Sequence, residues 1–83
     1  MRVRVVGDQL VRLDGGRLAE LRRAHGYTLR DVEEMTGVSR MTICNWENEE
    51  SMPRNVAALA LLYGDALRAS GALTIEPLFS RSR

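Results

Sequence analysis

Apolar side chains recur along this chain with two periods. At the start, Arg2-Val3-Arg4-Val5-Val6 alternates polar and apolar positions before Gly7-Asp8, and Leu10-Val11-Arg12-Leu13 follows. A period of two over segments this short predicts a β-hairpin over residues 2–13, or a single edge strand. From residue 16 the spacing turns helical. Leu18, Leu21 and the aliphatic part of Arg22 line one face of a first helix that runs to about His25, where Gly26 stops it. Leu29, Val32 and Met35 mark a second helix. Thr28 stands at its cap, and Asp31 three positions later completes a loose capping box and puts acid at the positive end of the helix dipole.

A third helix covers about residues 40–48, with Ile43 and Trp46 turned inward beside Met35 and the first helix. Pro53 opens a fourth helix, where its missing amide proton costs nothing, and Val56, Leu59, Ala60, Leu62 and Tyr63 form its broad apolar stripe. After a turn near Gly64, a short fifth helix is predicted over residues 65–69. Residues 72–76 alternate again and predict a strand until Pro77 halts it. The expected architecture is therefore mainly α, a five-helix core over residues 16–70 between short N- and C-terminal strands (2–13 and 72–79), with 80–83 a mobile polar tail. Two marginal strands find their best shelter by pairing with each other, within one chain or between two.

The connection between the second and third helices carries the most information. Gly37 falls where an α-helix takes a left-handed terminating residue, and Ser39 offers a side-chain oxygen to cap the next helix. With only residues 37–39 between them, the two helices must cross steeply instead of lying antiparallel. This is helix-turn-helix geometry, which points a helix into the major groove of DNA.

The stretch from about Gly16 to Tyr63 resembles the Cro/C1-type helix-turn-helix family of phage-repressor and XRE-like regulators. Leu18, Leu21 and Arg22 match that family's first helix, and Gly26-Tyr27-Thr28 the turn after it. Gly37-Val38-Ser39 matches the central turn, Ile43, Trp46 and Glu47 the third helix, and Pro53, Leu59 and Tyr63 the fourth. The resemblance implies a lambda-repressor-like fold and a sequence-specific regulator of phage or prophage type that binds operator DNA through its third helix. It also implies that Arg22 and Glu47 form a largely buried pair locking the reading head. Two positions depart from the pattern: Glu33 stands where the family usually keeps alanine, and Glu49 where it usually has glycine. A carboxylate at 33 must swing to solvent or find a partner.

Length and composition narrow the picture. At 83 residues with 45% apolar content, one domain over 1–83 with a single small core is expected. The lone Cys44 cannot form an internal disulfide, and neither a signal peptide nor a membrane span is legible, so a cytoplasmic protein of a bacterial host is expected. A net charge of +1 does not by itself announce nucleic-acid binding, so charge distribution must matter more than total. All twelve basic residues are arginine, most simply a GC-rich coding background, although arginine's planar fork also suits phosphate and guanine.

Within the third helix, Ser39, Arg40, Met41, Thr42 and Asn45 are the expected base-contacting residues. Arg40 can fork onto guanine O6 and N7, and Asn45 matches adenine N6 and N7. Met41 and the Thr42 methyl can press on a thymine methyl. Thr28, Arg30, Asn48, Arg54 and Asn55 are the expected phosphate contacts, with Arg54 and Asn55 placed by the resemblance at a second backbone anchor. Met41 and Thr42 read equally well as ordinary solvated residues of a surface helix, and exposed arginines often serve solubility alone.

Catalysis is not expected, because His25 and Cys44 are each the only residue of their type, and metal binding fails on ligand count. No cofactor is implied. His25 reads as a helix C-terminal residue favoured by the dipole, and Cys44 as a small packing residue with a redox switch as the sharper alternative. One helix reads about half a turn of DNA, so a two-fold dimer on an inverted repeat is expected. Its surface would be Leu67, Leu73, Ile75, Leu78 or Phe79, unless these pack against Val3, Val5 and Leu10 of the same chain. The competing functions are an antitoxin or anti-repressor that binds a partner protein, favoured by the acids in 47–50, and an excisionase-like architectural DNA binder.

Overall fold

The computed structural model describes residues 2–53 and 56–77. The elements run β1 (Arg2–Val6), β2 (Gln9–Leu13), α1 (Gly15–Ala24), α2 (Leu29–Thr36), α3 (Arg40–Glu47), α4 (Ala57–Tyr63), α5 (Ala66–Ala69) and β3 (Leu73–Pro77). Five helices and short terminal strands are thus the architecture that the patterning predicts. The expected tail, Arg54, Asn55, Leu78 and Phe79 lie outside the described residues.

The strands form one antiparallel sheet in the order β1-β2-β3. β1 and β2 make the hairpin, with Val6 opposite Gln9. Leu13 pairs with Leu73 and Val11 with Ile75, so the two ends of the chain meet within one molecule. Because side chains alternate across the pleat, Val11, Leu13 and Leu73 all face the helices and are buried. The sheet is tied to the helical core at its edge, where Asp14 N–H donates to Ala72 O at 2.9 Å.

The core joins that sheet face to Leu18 and Leu21 of α1, Val32 of α2, Ile43 and Trp46 of α3, Leu59 and Tyr63 of α4, and Leu67 of α5. Met35 is a correction. It shares the spacing of Leu29 and Val32 but is 45% exposed, because the inward face of α2 runs through Leu29, Val32 and Thr36 and leaves Met35 at its edge.

Leu67 and Leu73 are a second correction. Expected on a dimer surface, each is only 2% exposed, and Ile75 packs against the same cluster. β2 covers Leu73, and Leu67 of α5 packs among α1, α4 and β3. The large apolar side chains left in solvent are instead Val3, Val5 and Val6 of the edge strand, Met35, Met41 and Leu61.

α4 starts later than expected, at Ala57 with Val56 as its cap residue, and Pro53 is buried ahead of it. Its cap makes no side-chain hydrogen bond, so α4 is held by the burial of Leu59 and Tyr63.

Candidate nucleic-acid interface

The turn from α2 into α3 is built from local bonds. Thr28 Oγ1 accepts from Asp31 N–H at 3.1 Å and Asp31 Oδ2 from Thr28 N–H at 2.8 Å, closing both halves of the capping box that starts α2. Gly37 ends that helix at φ 77°, a left-handed conformation that costs an L side chain about 1–2 kcal/mol. Ser39 Oγ then accepts from Thr42 N–H at 3.2 Å and caps α3.

The other end of α3 is locked to α1. Arg22 Nε donates to Glu47 Oε2 at 2.7 Å and Arg22 Nη2 to Glu47 Oε1 at 3.1 Å, a two-pronged pair whose side chains are 11% and 8% exposed. Arg22 Nη1 also donates to Tyr27 O at 2.8 Å, so the turn between α1 and α2 is bound to the same guanidinium. The bond to Glu47 holds the Arg22 pKa above its ordinary value against the opposing effect of burial. Tyr63 lies in the same region, and burial, with the nearby Glu47 carboxylate, pushes its phenol up to about 12.

Gly15, at the start of α1, sits against the backbone at the end of α3. A Cβ there would fall 2.3 Å from Glu47 O and 2.7 Å from Trp46 O, so no larger residue fits without moving α1 from α3. Glu49 follows at φ 62°, the backbone region that favours glycine, and its Oε2 accepts from Gly15 N–H at 2.9 Å. The departure at 49 thereby gains a bond that glycine could not make. Only the Asp14-Gly15-Gly16 string hinted at this close approach, and no sequence signal named its partner.

Between these two fixed ends, Arg40 and Met41 are presented outward, Met41 at 75% exposure. Asn45 and Thr42 are half-buried, and the Thr42 and Ser39 hydroxyls lie 3.1 Å apart, so both take part in the cap before any outside partner. Glu33 does find a partner: its Oε1 lies 3.1 Å from Arg40 Nε and its Oε2 accepts from Arg40 N–H at 3.2 Å. Among the expected phosphate contacts, Thr28 and Arg30 flank the start of α2 and are exposed, Arg30 lying 3.9 Å from Glu34. Asn48 is exposed beyond α3, its Nδ2 donating to Cys44 Sγ at 3.3 Å. His25 caps α1, its Nδ1 3.0 Å from Leu21 O, within an aromatic cluster with Tyr27 and Tyr63. Among the described residues no group of His, Cys, Asp and Glu could hold a metal ion, and no helix is long and apolar enough to cross a membrane.

A family model described as a helix-turn-helix domain matches residues 15–68, the span from the start of α1 into α5. The chain belongs to the helix-turn-helix family. Three curated proteins named "putative HTH-type transcriptional regulatory protein" are similar to this helix-turn-helix chain. The one from Pyrococcus abyssi is 42% identical over 66% of this chain, that from Pyrococcus furiosus 46% over 55%, and that from Thermococcus kodakarensis 36% over 74%. The matches span only 17%, 15% and 20% of those longer proteins. No solved structure matches the chain.

Proposed function

We propose that this helix-turn-helix protein is a sequence-specific DNA-binding transcriptional regulator, a repressor or Cro-like protein of phage or prophage type, which reads operator DNA with α3. The observation that carries the reading is the outward start of α3, where Arg40 and Met41 project from a helix locked at its far end by Arg22 and Glu47. A rigid scaffold under a polar helix start is what base readout requires, because the contacts gain discrimination only when their geometry is held. The relatives' names, which speak of transcriptional regulation, support the regulatory part of this reading.

In this reading Arg40 and Asn45 contact base edges, and Met41 and the Thr42 methyl make apolar contacts. Ser39 works mainly as the cap that exposes them. Thr28, Arg30 and Asn48, together with Arg54 and Asn55, take phosphates. Two copies bind an inverted repeat in the cytoplasm or nucleoid of a bacterial host. With Leu67 and Leu73 covered by the chain itself, contact between copies falls to the surfaces left apolar, the β1 edge or Leu61.

Selection from a random duplex library with the purified chain tests this directly. The expected result is an enriched site with two-fold symmetry whose half-sites lie about 10 bp apart. A chain that enriches nothing at low salt would overturn it.

A further inference from the structure

Glu33 occupies a position that the helix-turn-helix pattern leaves to alanine, and its carboxylate divides its two oxygens between the backbone and the side chain of one residue. Oε2 accepts from the Arg40 N–H at 3.2 Å, and Oε1 lies 3.1 Å from Arg40 Nε. The contact joins α2 to the first residue of α3 across the turn. It is half in water, the two side chains being 35% and 56% exposed, so its worth as a stabilising ion pair is small. Its consequence lies in where the guanidinium points. Arginine's five donors form a rigid fork, and drawing Nε toward one carboxylate leaves Nη1 and Nη2 as an end-on pair.

We propose that Glu33 is a positioning residue for specificity, which turns the Arg40 fork toward guanine O6 and N7 and holds the side chain away from the phosphate backbone. The proposal rests on the DNA-reading function above and adds to it a residue that touches no DNA. Two effects follow. An arginine with a fixed fork pays less ordering entropy to make a bidentate guanine contact than a free one does. A carboxylate beside it cancels a positive charge that would otherwise attract any duplex, so non-specific binding is suppressed while the base contact is retained.

The test uses the full chain and the duplex site it selects from a random library, together with versions carrying each other base at every guanine, and an unrelated duplex. Dissociation constants are measured at two salt concentrations for the native chain, Glu33→Ala, Glu33→Gln, Arg40→Ala and the double variant Glu33→Ala/Arg40→Ala. The native chain should discriminate at one guanine by about 5- to 150-fold, the range of a bidentate contact. Arg40→Ala should abolish that preference. Glu33→Ala should weaken it by up to about 5-fold, the most that so exposed a contact can supply, bind the unrelated duplex more tightly, and steepen the salt dependence by about one released counterion. In the Arg40→Ala background, removing Glu33 should leave discrimination unchanged. Glu33→Gln can still accept from the Arg40 N–H, so it should melt like the native chain yet discriminate like Glu33→Ala.

Either Glu33 variant discriminating as well as the native chain would overturn the proposal. So would a Glu33→Ala loss that is equal on all duplexes and matched by a lower melting temperature, which is the mark of a helix cap alone. A native chain with no selected site, or Arg40→Ala with native discrimination at every guanine, would place the failure in the DNA-reading function or in the role of Arg40.

Discussion

Replacing Glu47 by alanine removes one half of the pair that holds α3 to α1. In the native protein both Arg22–Glu47 bonds are short, and the two side chains are 11% and 8% exposed, so water cannot replace the missing carboxylate. Arg22 would keep its bond to Tyr27 O and lose both others, leaving a poorly solvated cation between α1 and α3. Breaking a buried pair from one side typically costs about 3–5 kcal/mol. A chain of 83 residues holds about 4–12 kcal/mol in all, so the loss is a large share of the total. Urea unfolding followed by far-UV circular dichroism should show a much lower midpoint for Glu47→Ala, and DNA binding should fail in proportion to the unfolded fraction. Replacing both residues with methionine should recover much of the loss, because the cost lies in the orphaned charge and not in the absent pair. Were Glu47→Ala to lose less than about 1 kcal/mol, the range of exposed pairs, the claim that this contact locks the reading helix would fail.

Gly15→Ala should cost about 1–3 kcal/mol in the same assay, since its methyl would collide with the Glu47 carbonyl; native-like melting would show that α1 and α3 can separate freely. Tyr63 is raised to about 12 against an ordinary value near 10, so the folded state favours the neutral phenol. The stability it contributes is therefore intact below pH 10 and falls as pH rises toward 12, by up to about 2–3 kcal/mol, and Tyr63→Phe should flatten thermal melts across that window. Glu49→Gly relieves the positive φ but gives up both the bond to Gly15 N–H and the carboxylate's attraction to Arg2, so the urea midpoint should fall; an unchanged or higher midpoint would refute that balance.

What could be read from sequence depended on how far apart the interacting groups lie along the chain. The Thr28–Asp31 capping box, the glycine end of α2 and the Ser39 cap each depend on groups no more than four residues apart, and all three stand where the pattern of residue types put them. The period-two segments likewise announced strands, because alternation is a property of the segment alone. Arg22 and Glu47, 25 residues apart, came together as the resemblance to known regulators implied, and no local spacing would have paired them.

Where only packing decides, sequence reading ran out or misled. The apolar Leu67 and Leu73 demanded cover, but whether a second chain or this one supplied it depended on the path that the helices impose between residues 13 and 73. Met35 had a helical spacing but the wrong face, since the inward side of α2 runs through Leu29, Val32 and Thr36. Glu33 and Glu49 stood out as departures, and for Glu33 the sequence left solvent or an unnamed partner open. Tertiary structure brings the first to Arg40 and the second to the amide of Gly15, 34 residues earlier, because those donors lie at helix starts whose N–H groups lack partners within the helix. The chain by itself thus determined its elements and their ends, through bonds that close within a turn or two. The fold alone decided which of those ends face one another, because contacts between distant segments exist only once the core has set their distance.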